Sequence, residues 1–206
     1  MPSPTRANPS PETPVRRRLS RQARLRQLLD VSWQLIRGEG TDALTLGRLA
    51  EEAGVTKPVV YDHFGTRNGL LAALYQDFDL RQTALIDAAI AASKATLKDK
   101  ARVIARTYVE CVLTQGREIP EVLAALEGAP ELNQLKRQYQ QVFIQKCRAV
   151  LAPFAGSRGI APAGLWAMLG AADALSHAAV VGDITEQQAA DELHETIVAM
   201  AKRSKP

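Results

Sequence analysis

Between Thr56 and His63 the chain reads TKPVVYDH, which gathers a hydroxyl, an ammonium, a phenol and an imidazole into eight residues. Each of these groups can hydrogen-bond to phosphate oxygens or to base edges, provided that one exposed helix face presents them. Val60 and Phe64 stand four residues apart and mark the inward side of such a helix. Thr56, Lys57, Val59, Tyr61, Asp62 and His63 then point outward.

The residues upstream supply what is needed to hold that helix in place. Thr45 is a helix N-cap, followed by Leu46, Leu49, Ala50 and Ala53 as one buried face. Leu44 and Leu49 can form a hydrophobic staple, as can Val55 and Val60 around the next helix. Gly54 suits a left-handed turn, and Ala50 is small enough for the second helix to cross nearby. Thr56 caps that helix, and Pro58 falls in its first turn, where proline is tolerated. Two short helices joined by such a turn make a helix-turn-helix, whose second helix can enter a DNA major groove. Similar three-helix cores occur in domains that bind no nucleic acid, so spacing alone leaves both readings open.

The residue string is more specific. From Ala50 it runs A-x-x-A-G-V-T-K-P-V-V-Y-D-H-F-G-T-R-x-x-L, and it resembles the DNA-binding domain of the TetR family of bacterial transcriptional regulators. The resemblance extends from about Arg24 to Leu74 and is sharpest at Tyr61-x-His63-Phe64. It implies a three-helix head that places Thr45, Tyr61, His63 and Arg67 on phosphates. Thr56, Lys57 and Val59 would lie at the edge that reaches bases or phosphates, with Pro58 where the family often has Pro, Gly or Ala. It also implies a helical body that binds a small-molecule effector and dimerises through roughly residues 161–203. A two-fold pair of heads would read a palindromic operator, with repression as the outcome, no cofactor, and a cytoplasmic location. One departure stands out: Arg67-Asn68-Gly69 replaces the usual lysine followed by an acid. Gly69 costs about 1 kcal/mol of helix propensity relative to alanine, which predicts a loose junction between head and body.

The rest of the chain fits an all-α protein. Helical patterns run over about 70–95, 99–115, 118–127, 130–152, 161–181 and 185–203, broken by Gly and Pro. The domain reading is a mobile basic arm over 1–19, a head over 20–67 and a body over 68–206. The net charge of +4 hides an asymmetry. Residues 1–26 hold seven arginines against Glu12, and the remainder carries 19 bases against 21 acids. Such an arm suits a polyanion, and deleting residues 1–19 is expected to flatten the salt dependence of DNA affinity without changing the chosen site.

Several classes are disfavoured. There is no apolar N-terminal run, and no stretch of about 18 uncharged apolar residues, so no membrane span is expected. The three histidines are too dispersed for a metal site, and phosphate-loop and hydrolase motifs are absent. Cys111 and Cys147 suggest a reduced chain rather than a disulfide framework. Tyr108, Cys111, Tyr139, Phe143, Cys147, Trp166 and His177 are candidates to line a pocket in the body. Two competing readings remain: a helical ligand-binding protein or enzyme whose helix-turn-helix only packs, and a protein held at a membrane surface by its arm.

Overall fold

The computed structural model describes residues 19–115, 122, 124–125 and 130–204. The basic run at 16–18 and most of the helix expected over 118–127 lie outside the described residues. Eight helices are described in full, and no strand occurs among the described residues.

Helix α1 (Arg21–Glu39) starts where Ser20 accepts a hydrogen bond from the Ala23 amide at 3.1 Å and stops at Gly40, whose φ is 81°. A short 3-10 turn, Thr41–Ala43, leads to α2 (Leu46–Glu52), capped by Thr45. Gly54, with φ of 63°, turns the chain into α3 (Lys57–Phe64). Leu28, Leu44, Leu49, Val60 and Leu70 are completely buried and form the centre of this head. Burying each leucine or valine contributes roughly 1.5–3 kcal/mol, which is what holds three short elements that would not persist alone.

Helix α4 (Arg67–Ala92) has 26 residues, about 39 Å of helix. Its first turns bury Leu70, Leu71 and Leu74 in the head, and its later turns bury Phe78, Gln82 and Ile86. The body continues with α5 (Leu97–Gln115), α6 (Pro130–Leu151), α7 (Pro162–Val181) and α8 (Glu186–Arg203). The core is one contiguous cluster from Leu28 to Met200, so α4 is a rod shared by head and body. The expected boundary at residue 67 falls at its first residue.

Helix α7 has 20 residues with a mean hydropathy of 1.3, so by length and composition it could cross a membrane. Asp173 and His177 interrupt its apolar run. Leu165, Met168, Leu169, Ala172 and Ser176 of α7 are buried in the body, which packs α7 against α5 and α8. A helix with a buried stripe of this kind is ordinary in a helical bundle.

Candidate nucleic-acid interface

The turn between α2 and α3 brings residues from both helices over one patch of backbone. Thr45 Oγ1 accepts from the Arg48 amide at 3.1 Å, leaving the hydroxyl proton to donate outward. The Lys57 side chain returns along α2. A point one bond from the Gly47 Cα lies 3.9 Å from Thr45 Oγ1 and 4.0 Å from Lys57 Nζ. A phosphate oxygen above Gly47 could therefore meet a hydroxyl donor and an ammonium together. The absence of a side chain at residue 47 keeps that approach open.

Thr56 occupies the N-cap position of α3, but its side chain makes no capping hydrogen bond, contrary to expectation. The hydroxyl is exposed and available for another partner. Pro58 is exposed, Val59 is half-buried, and Tyr61 stands 53% exposed one turn on. That leaves a large aromatic in solvent on a helix that buries Val60 and Phe64. His63 is half-buried in the last turn, its ring centre 6.0 Å from that of Phe64.

Two cations behave differently. Arg48 is paired with Glu39 at 2.7 Å and Glu52 at 3.0 Å, whereas Lys57 has no ion pair among the described residues. Arg67 has partners within the chain. Its Nε donates to the Leu44 carbonyl at 3.0 Å and its Nη2 to the Thr41 carbonyl at 2.8 Å. The Leu44 carbonyl lies between the 3-10 turn and α2, and the Thr41 carbonyl also accepts from the Leu44 amide at 3.2 Å; the half-buried guanidinium gives both a charged donor. Arg67 thus ties α4 to the segment that carries Thr45.

The junction after α3 is close-packed rather than loose. Gly65, with φ of 67°, reverses the chain, and Thr66 caps α4 by accepting from the Gly69 amide at 3.0 Å. A Cβ on Gly69 would overlap the Phe64 carbonyl oxygen. Glycine stands here because backbone fills the space a side chain would need.

The head is fastened to α4 by a polar hub that sequence reasoning missed. The Asp77 carboxylate accepts from Arg26 and Trp33 of α1 and from Arg81 of α4, the last at 2.8 Å. Burial alone would raise the Asp77 pKa; the Arg26 hydrogen bond, the Arg81 charge and the Trp33 N–H outweigh it, and the carboxyl ends below its usual range. Nothing in the spacing of residues 26, 33, 77 and 81 announces this meeting, since it joins helices about fifty residues apart.

The body residues named as pocket candidates separate into two groups. Tyr108 is buried and donates to Asp173 at 2.7 Å, with Phe143 packed 5.3 Å from its ring centre. Tyr139 meets Tyr75 edge-on at 5.4 Å, and Cys147 is fully buried near Tyr108. Cys111 lies in a different groove, between α4 and α5. Trp166 and His177 are exposed on α7, and Trp166 lines a separate groove against α6 with Gln138, Val142 and Arg148. Burial pushes Cys111 to about 11 and Cys147 to about 12, so both are inert thiols at neutral pH.

Asp79 beside this cluster is half-buried, and desolvation raises its pKa to about 6 despite the nearby Lys146 charge. Its neutral form is favoured by folding, so its contribution is present at acid pH and is lost as pH rises from about 4 through 6. Asp79→Asn is expected to add about 1 kcal/mol at pH 7, discounted for partial exposure. Urea unfolding at pH 4 and pH 7 checks this: the variant should show a smaller loss between the two.

Residues 28–74 match the family model described as "Bacterial regulatory proteins, tetR family". A protein of Mycobacterium tuberculosis described as an uncharacterized HTH-type transcriptional regulator is 36% identical over 103 residues, which is 49% of this chain. The chain spans only 43% of the length of that relative. The fold is similar to SCO4454, a TetR-family transcriptional regulator from Streptomyces coelicolor. Its TM-score is 0.70 at 18% identity, covering 88% of this chain and 95% of that one. It is also similar to SmeT in its complex with triclosan, at a TM-score of 0.66 and 16% identity, covering 86% and 91% of the two chains.

Proposed function

We propose that this chain, whose head belongs to the tetR family of bacterial regulatory proteins, is a sequence-specific DNA-binding regulator. The observation that carries the reading is the outer face of α3, where Lys57 has no ion pair among the described residues and reaches toward Thr45, the Thr56 hydroxyl makes no capping bond and Tyr61 stands in solvent. Each head lays α3 into a major groove. Thr45 and Lys57 hold a phosphate above Gly47, Tyr61 and His63 hold the backbone farther along, and Thr56 and Val59 approach base edges. Phosphate contacts set register and most of the affinity; the base contacts set the sequence preference.

The regulator acts as a homodimer on a palindromic site, and the exposed face of α7 is the surface for pairing. Ala163, Trp166, Ala167, Gly170, Ala174 and Val181 form an apolar stripe there at helical spacing. Small residues permit close approach of two helices, and Trp166, 40% exposed, supplies bulk at one end. A small effector shifts the equilibrium toward a head spacing that misfits the operator, by binding that state more tightly. The outcome is repression relieved by ligand, in the cytoplasm.

Selection of genomic DNA fragments on the full chain tests the reading. Recovered fragments should share an inverted repeat and compete out random DNA. Equal retention of random and genomic fragments would mean that the head serves packing alone.

A further inference from the structure

A groove of 340 Å³ lies between α4 and α5, apart from the Tyr75–Tyr139 and Tyr108–Phe143 aromatic cluster. Phe78, Leu85 and Ala89 of α4 form its apolar wall, with Cys111 opposite on α5. Most of its polar groups are already engaged. Arg81 is bound to Asp77, Glu110 to Arg106 at 2.6 Å, and the Thr114 hydroxyl donates to the Glu110 carbonyl at 2.7 Å. Gln82 is different. The residue is only 8% exposed, and its Nε2 is buried with no hydrogen-bond partner among the described residues. An amide N–H left unpaired in that setting costs about 1–3 kcal/mol, which a ligand acceptor would recover.

We propose that this groove binds a small, uncharged organic molecule with an apolar body and a carbonyl oxygen, the Gln82 side chain turning toward the groove so that Nε2 donates to that oxygen. The volume is at the small end of ligand sites. The neighbouring charges select a neutral guest, because Arg81 and Glu110 neutralise their own partners and neither is spare for an ionised ligand. Cys111 presents a protonated thiol as part of the wall rather than a nucleophile.

The position of the groove gives binding a route to the head. Arg81 lines the groove and also holds Asp77, which receives Arg26 and Trp33 from α1. A guest that moves the Arg81 side chain alters the hub that fastens α1 to α4. This regulatory consequence rests on the DNA-binding reading above; the binding itself does not.

The test uses acetophenone as the neutral carbonyl probe, ethylbenzene as its counterpart without an acceptor, and benzoate as the charged one. Binding to the full chain is followed by ligand-observed NMR and thermal unfolding. Acetophenone should bind more tightly than the other two. Gln82→Leu should weaken acetophenone about tenfold, the worth of one hydrogen bond, and leave ethylbenzene unaffected. Ala89→Leu, which fills the groove without touching Gln82, should weaken both, and it stands as the test if Gln82→Leu does not fold. Acetophenone affinity unchanged in these variants, or no preference for it over ethylbenzene, overturns the proposal. Operator affinity with and without acetophenone separates the two readings. A chain that binds acetophenone but selects no DNA refutes the regulator and keeps the site; one that selects DNA but ignores acetophenone does the reverse.

Discussion

Lys57→Ala is expected to lower operator affinity by about tenfold per subunit, hence roughly a hundredfold for a dimer, with the same loss on every operator variant. The size follows from its surroundings. Arg48 on the neighbouring helix is neutralised by two glutamates, and Arg67 is turned inward to the Thr41 and Leu44 carbonyls. Among the described residues Lys57 is a helix-turn-helix cation with no ion pair, and on the proposed reading it meets a phosphate beside the Thr45 hydroxyl. Each phosphate contact removed should also lower the slope of log affinity against log salt by about 0.9, or close to 2 for the dimer. Titrations at several salt concentrations check both quantities. Wild-type affinity with an unchanged slope would remove Lys57, and the phosphate site over Gly47, from the interface. Tyr61→Phe provides the contrast: it keeps the aromatic ring, deletes one neutral donor, and should cost less while leaving the slope unaltered.

What could be read in advance was local. The cap at Thr45, the Gly54 turn and the buried Leu49–Val60–Phe64 side follow from residue type and helical period, though the cap read at Thr56 does not form. They were legible because each depends on neighbours within a turn or two. The Arg67 carbonyl contacts and the Asp77 hub join residues 23 to 51 positions apart, and no periodicity encodes such a meeting. Gln82 shows an intermediate case. It lies four residues after Phe78 and four before Ile86, both buried, so the repeat already placed an amide in an apolar stripe. Only packing shows that the amide is left unpaired. Trp166 and His177 were named by residue type alone; both are exposed on α7, and Trp166 lines a groove against α6 that no local pattern places.

Gly69→Ala reverses the sign that helix propensity gives. Alanine in a helix interior is worth up to about 1 kcal/mol over glycine, and Gly38→Ala, where a Cβ meets nothing within 4 Å, should realise part of that gain. At Gly69 the same methyl would overlap the Phe64 carbonyl oxygen, which is also the acceptor for the Thr66 amide at 2.7 Å. Because the obstacle is backbone, relief requires α3 and α4 to separate, pulling against buried Phe64 and Leu70. A loss of roughly 1–3 kcal/mol is expected, the usual range for forced overpacking. Separation would also displace the last turn of α3, which carries Tyr61 and His63, so operator affinity should fall alongside stability. Urea unfolding of both variants, with operator titration of each, makes the comparison. If Gly69→Ala stabilises the chain as Gly38→Ala does, the close approach of the two helices is wrong. The junction would then be the loose one that propensity predicts, and the orientation of α3 would have to be fixed by Arg67 and the Thr66 cap alone.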